Sequence, residues 1–237
     1  MRKLMCLFLM TIPIAAIAQK DLFMSQFNGV NNWFFSSPDI KLIQKYVYYN
    51  DSATVHAVDS ATITIIKNNS AIHYEASGLE LFSDSGYMVK MSHSNRYMLI
   101  SKIAKIDTLQ LAAIFSQVFS GFATFKQISA ARGNTEWELY GGTAGINSAK
   151  LVLDLEAHQV KSLEMFMAGN HPLVRPFKKA GQTAEPTVII KVDYQYLPGT
   201  GHYKAGTLRD FIIVNTAGIT PAAKYKDYRI KLIPGKQ

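Results

Sequence analysis

Between residues 54 and 101 the chain repeats one local pattern: a short β-prone run, then a cluster of Asn, Ser, Asp or Gly, at intervals of about eight to ten residues. Turns that short join antiparallel neighbours, whereas parallel strands need a long crossover, so this stretch predicts an antiparallel meander. Thr62-Ile63-Thr64-Ile65 alternates in period two, and Lys67-Asn68-Asn69-Ser70 turns the chain after it. Ile72, Tyr74 and Ala76 then face away from His73 and Glu75, and Ser77-Gly78 leads into Leu79 to Phe82. Ser83-Asp84-Ser85-Gly86 ends that run. Tyr87 to Met91 and Tyr97 to Ile100, joined by Ser92-His93-Ser94-Asn95, are apolar on both faces, the pattern of strands covered on both sides.

The period then changes. Asp107 is a helix N-cap candidate, and Leu109, Ala112, Ala113, Phe115, Ser116 and Phe119 predict a helix over about 108–119. A second helix is expected from Ser37, as cap, and Pro38, at the first helical position, to about Tyr48. After Gly121 comes a stretch rich in Ser, Ala and Gly, expected as loop. Strand signals resume at 136–140, 150–154, 160–167, 187–196 and 211–215, clearest where Val188, Ile190, Val192, Tyr194 and Tyr196 alternate with Lys191, Asp193 and Gln195. About ten strands with two helices imply a mostly β, α+β fold: a strongly curved antiparallel sheet forming an incomplete β-barrel with covering helices. A closed up-and-down barrel is the competing architecture.

Arg2 and Lys3 precede an apolar run from Leu4 to Ala18, and Ala16-Ile17-Ala18 has the small-x-small form of a signal-peptidase site. Residues 1–18 therefore read as a leader cleaved before Gln19, with 19–237 as a single domain. The run, about 15 residues, is short of the roughly 20 that span a bilayer. The one cysteine, Cys6, lies within the leader, so the exported part has no disulfide, no thiolate metal ligand and no thiol nucleophile, and must rely on a hydrophobic core. The formal charge is +8, Arg2 and Lys3 included. The basic residues are scattered, Lys178-Lys179 and 224–231 being the densest groups, which argues against nucleic acid and allows at most peripheral contact with an anionic membrane.

Chemical motifs are few. No His-Glu-x-x-His, Gly-x-Ser-x-Gly, Ser-x-x-Lys or Walker loop occurs. His73 and Glu75 share a strand face but lack a third ligand, Asp193 and His202 lack a nucleophile, and Gly199-Thr200-Gly201 precedes no helix. The expectation is a non-enzyme with no metal and no cofactor. More telling are Met88, Met91, Met98, Met165 and Met167 with Tyr74, Tyr87, Tyr97, Tyr194 and Tyr196. Methionine adapts its shape and tyrosine joins an apolar body to a polar tip, a mixture suited to a cavity for flexible chains as well as to an ordinary core.

The signal ending Ala-Ile-Ala-Gln, the meander from Thr62 to Glu75, Leu79-Glu-Leu-Phe and the pair from Met88 to Ile100 carry a resemblance, as do Leu151 to Glu156, Val160 to Met165 and Pro186 to Tyr194. In this order of elements, over roughly residues 40–215, the chain resembles the lipoprotein-carrier (LolA/LolB-like) superfamily, as a divergent Bacteroidetes-type member. The resemblance implies an incomplete barrel around a hydrophobic cavity that holds lipoprotein acyl chains. No arginine occurs from 54 to 76, where the carrier has one that helps hold its lid, so lid gating is not implied. The receptor's lipidated cysteine is absent too, which favours a soluble protein.

The expected function is a soluble periplasmic or secreted carrier of lipid or lipoprotein acyl chains, monomeric, with an acylated protein and envelope proteins as possible partners. Cavity candidates are Tyr74, Tyr87, Val89, Met91, Tyr97, Leu99, Leu163, Met165, Val188 and Ile190. The alternative is a non-catalytic accessory protein of an envelope or secretion assembly, acting through loops such as 130–145 or 197–207.

Overall fold

The alternation of residues 62–100 becomes one side of a large open sheet. The computed structural model describes residues 2–49, 57–69, 71–84, 86–103, 116–142, 145–167, 188–197, 204–216 and 218–233, with side chains from residue 18 onward. Helix α1 (Arg2–Ser36) precedes β1 (Asp39–Tyr49), β2 (Asp59–Asn68), β3 (Ala71–Ala76), β4 (Leu79–Asp84), β5 (Tyr87–Ser92) and β6 (Tyr97–Lys102). Then come β7 (Thr124–Ala131), β8 (Asn134–Tyr140), β9 (Ile146–Asp154), β10 (Gln159–Met167) and β11 (Val188–Leu197). The last strands are β12 (Ile212–Asn215), β13 (Gly218–Pro221) and β14 (Arg229–Ile233).

Among the described residues twelve strands pair in the order β14-β6-β5-β4-β3-β2-β1-β11-β10-β9-β8-β7, while β12 and β13 form a separate hairpin. The order does not return on itself, so the sheet is not closed, and the up-and-down barrel is ruled out in favour of the open, mostly antiparallel arrangement. β14 runs parallel to β6, from Arg229↔Tyr97 to Ile233↔Ser101.

The chain divides into two compact units. The first comprises Met1–Phe35, Tyr46–Ser60 and Leu111–Tyr194, the second Ser36–Lys45, Ala61–Gln110 and Gln195–Gln237. In the first unit Phe23, Phe27 and Val30, spaced four and three apart, place one face of α1 in a core with Phe125, Trp137, Leu139, Leu151 and Leu163. The Phe23 ring lies 5.2 Å from Phe125 and 5.4 Å from Trp137. Polar groups orient the same helix: the Trp137 indole N–H donates to Gln26 Oε1 at 3.0 Å, and Lys20 donates to the Ser120 carbonyl at 3.0 Å. In the second unit Phe82, Val89, Met91, Met98 and Ile100 are buried together with Phe211, Ile212, Ala222 and Tyr225 from the C-terminal segment.

Several expectations are corrected. Residues 39–49 form a strand, not a helix: Ile40 and Leu42, two apart, are the buried positions, and the run is dense in β-branched and aromatic residues that favour a pleated surface. α1 ends at Ser36, before Ser37-Pro38, because a residue preceding proline is pushed out of the helical region. Residues 124–131, expected as loop, form the edge strand β7, of which only Phe125 is buried. Of the helix expected over 108–119, residues 116–119 are helical within a turn spanning 116–120, and the remainder lies outside the described residues, as do Lys178-Lys179, Gly199 to Gly201 and His202.

Candidate functional site

Register decides which side chains of the second unit share a face, since directly opposed residues in an antiparallel pair point the same way. His73 opposes Phe82, Phe82 opposes Val89, and Val89 opposes Ile100. That face is the core under the C-terminal segment. Val89 and Met91, two of the cavity candidates, are therefore packed core side chains, and Tyr87 packs half-buried against the same cluster.

The opposite face carries a second row: Ile65 opposes Tyr74, Tyr74 opposes Leu81, Leu81 opposes Lys90, and Lys90 opposes Leu99. Tyr97 and Ile72 lie on this face one row to either side. Ile65, Ile72, Tyr74, Leu81, Tyr97 and Leu99 are all half-buried, Lys90 is exposed among them, and among the described residues none of the six belongs to either core cluster. Two polar residues share the face and are 2 % exposed, Lys67 and Ser83. The Lys67 ammonium donates to the Ser37 carbonyl. Burial lowers its pKa, against the opposing charge of Asp39. The Ser83 hydroxyl has no hydrogen-bond partner among the described residues.

The remaining candidates lie in the first unit. Leu163 opposes Val192, Met165 opposes Ile190, and Met167 opposes Val188. Leu163, Val188 and Ile190 belong to the core cluster that α1 enters through Phe23 and Phe27, and Met165 is half-buried against it. The ten candidates thus separate into three groups: Tyr74, Tyr97 and Leu99 on the half-buried face, Tyr87, Val89 and Met91 on the opposite side of that sheet, and these four in the other unit.

On the core face of the second unit, polar groups converge on Glu80. Its carboxylate lies 2.7 Å from His73 Nε2 and 3.1 Å from His93 Nε2, and it accepts the Tyr225 hydroxyl at 2.9 Å. His93 Nδ1 in turn meets the Tyr228 hydroxyl at 2.7 Å. Burial pushes the Glu80 carboxyl up, but hydrogen bonds from His73 and Tyr225, with the charges of His73 and Lys224, outweigh it and hold the pKa below the ordinary value. Burial and the Glu80 carboxylate push the Tyr225 phenol up, so it remains a donor. Among the described residues no nucleophile joins this network, and its effect is to pin the C-terminal segment to β4. His73 thus turns to Glu80 rather than pairing with Glu75 around a metal; among the described residues no group of three or more His, Cys, Asp or Glu is placed to hold one.

Beside that network, still within the second unit, an open pocket of about 450 Å³ is lined by His73, Lys204, Arg209, Asp210, Phe211 and Lys224 with small residues between them. The loop that builds it is held by one long-range and two local hydrogen bonds. The Ala205 N–H donates to Asn68 Oδ1, and Asp210 Oδ2 accepts the Thr207 N–H at 2.6 Å and the Thr207 hydroxyl at 3.1 Å. Sequence reading missed Glu80, His93, Lys204, Arg209, Lys224 and Tyr225. Glu80 and His93 looked like ordinary polar members of the meander, and the rest join them only through contacts more than a hundred residues apart in sequence, such as Tyr225 to Glu80.

No family model matches the chain, and no curated protein matches it. Solved structures similar to it include a conserved protein from Thermus thermophilus, at 8% identity and a TM-score of 0.40 over 86% of this chain and 95% of that one. Another is a LolA superfamily protein from Nitrosomonas europaea, at 11% identity and a TM-score of 0.29 over 76% and 96%. A third is a DUF1329 family protein from Desulfovibrio piger, at 8% identity and a TM-score of 0.34 over 80% and 95%.

Proposed function

We propose that this chain is a carrier or binding protein for lipid or acyl chains, acting in the periplasm or outside the cell as a monomer once residues 1–18 are removed. The observation that carries this reading is the half-buried face of the second unit. Six half-buried apolar side chains, Ile65, Ile72, Tyr74, Leu81, Tyr97 and Leu99, share that face and belong to neither core cluster among the described residues. Apolar side chains left partly accessible on one sheet face, with Lys90 among them, supply surface to which an apolar partner can bind. Covering it with a hydrocarbon tail is favourable by about 0.8 kcal/mol for each CH₂ withdrawn from water. Tyr74 and Tyr97 add polar tips, and no acid–base or nucleophilic group is needed for such a task.

Native mass spectrometry of the purified chain and titration with a fluorescent fatty acid test the proposal. The expected result is bound or acquired lipid, with Leu81→Asp and Leu99→Asp each weakening uptake about tenfold, since a buried carboxylate against a hydrocarbon tail costs more than about 1.4 kcal/mol. Ile128→Asp, at an exposed position of β7, is the control and leaves uptake unchanged. A chain that neither carries nor acquires lipid overturns the reading, and co-purification with an envelope complex in that lipid-free state supports the accessory role instead.

A further inference from the structure

We infer that the basic pocket of the second unit is a binding site for a phosphate-bearing ligand, distinct from the apolar face. His73 lines the pocket, and it stands on the sheet face opposite Tyr74, so an anion in the pocket is not the head of a chain lying across Tyr74 and Leu99. Charge is the first argument. Lys204, Arg209 and Lys224 line a volume of about 450 Å³ against one carboxylate, Asp210, whose Oδ2 is held in place by the Thr207 N–H and hydroxyl. Among the described residues neither Lys204 nor Arg209 has an ion-pair partner. Three cations against one carboxylate leave the lining with an excess of positive charge, which an anion in the pocket offsets.

Preorganisation is the second argument. The Lys224 ammonium sits 5.0 Å above the Phe211 ring and 4.5 Å above the Tyr225 ring, held over aromatic faces instead of extending into water. Phe211 is itself stacked on Phe82 at 4.4 Å, and Tyr225 is fixed by Glu80, so the aromatic support of Lys224 is anchored to the sheet. Backbone geometry supplies the third. Gly206 has φ +84°, and a Cβ there would stand 3.2 Å from Asp210 Oδ2 and 3.4 Å from the Phe211 ring, so the loop closes tightly around the carboxylate that it immobilises. Arg209 brings a planar fork and the two lysines bring point charges, the combination that suits a tetrahedral oxyanion.

The shared chemistry is a phosphate group, supplied either by a small soluble phosphate or by an anionic lipid headgroup. The test titrates the full chain with inorganic phosphate at about 0.15 M salt, where screening removes diffuse attraction, and follows backbone amides by NMR. Flotation with phosphatidylcholine vesicles, with and without phosphatidic acid, is the second arm. The expected result is saturable shifts confined to residues 204–211 and 222–225, weakened about tenfold or more in the Arg209→Gln, Lys224→Gln double variant and unaffected by Lys126→Gln. Phosphatidic-acid binding lost in the same double variant, with inorganic phosphate silent, also supports the site and assigns the source to a headgroup. No saturable response to either probe, or a response equally weakened by Lys126→Gln, overturns it. Leu99→Asp leaves the phosphate response intact, and the double variant leaves fatty-acid uptake intact, so the failure of this site and the failure of the carrier reading are separate results.

Discussion

Glu80 is where the second unit concentrates its polar energy: His73, His93 and Tyr225 all meet one carboxylate whose side chain is 10% exposed. Because its pKa is depressed on folding, the stability it contributes is present above the ordinary carboxylate range and is lost as the pH falls through the depressed folded value. Glu80→Gln is expected to cost about 1–3 kcal/mol at neutral pH, a fall of several degrees in Tm, by weakening charge-assisted bonds to buried partners. Melting curves between about pH 7 and about pH 3 check the sign, with the gap between wild type and variant closing in acid. Ser83 behaves oppositely. Its buried hydroxyl has no partner among the described residues, so Ser83→Ala leaves Tm unchanged or raises it, and a clear fall would reveal a partner. Gly206→Ala places a Cβ at φ +84° and is expected to cost about 1–2 kcal/mol, read by urea denaturation.

At the scale of elements, the meander from β2 to β6 was legible because alternation and turn chemistry agree at every step, from Ile63 and Ile65 through the left-handed Asn69 and Gly78. α1 beyond residue 18 was not. Asn28, Gly29, Asn31 and Asn32 are poor helix formers, and the segment is helical because Phe23, Phe27 and Val30 pack against the sheet of their own unit. Phe23→Ala should therefore cost about 3–5 kcal/mol, the loss of a fully buried ring among Phe27, Phe119, Phe125 and Trp137, and urea denaturation measures it. An unchanged midpoint would contradict the packing of the helix. β1 was misread because Ser37-Pro38 imitates a helix start, while the deciding signal, burial of Ile40 and Leu42 two apart, depends on tertiary pairing.

Across the whole chain, the mostly β class followed from the period of the strands, whereas the choice of an open over a closed sheet needed the strand order, and the grouping of site residues needed the register. Alternation gives the face of each residue within a strand but not the register between strands. Leu99 was accordingly grouped with Val89 and Met91, although Val89 opposes Ile100 and so shares its face and not that of Leu99. The basic pocket was illegible for a related reason: Lys204, Arg209 and Lys224 meet His73 only once a C-terminal segment has returned to the first half of the chain. Deleting 229–237 removes β14 and bares the β6 edge, and the expected outcome by size-exclusion chromatography is aggregation of the shortened chain. That parallel pairing has a temporal meaning as well. Residues 97–101 lie beside β5 from early in synthesis and gain their second neighbour only after 229–233 have been made. Pairing across so wide a sequence separation forms more slowly than the hairpin beside it, so this edge of the sheet closes after β6 has met β5.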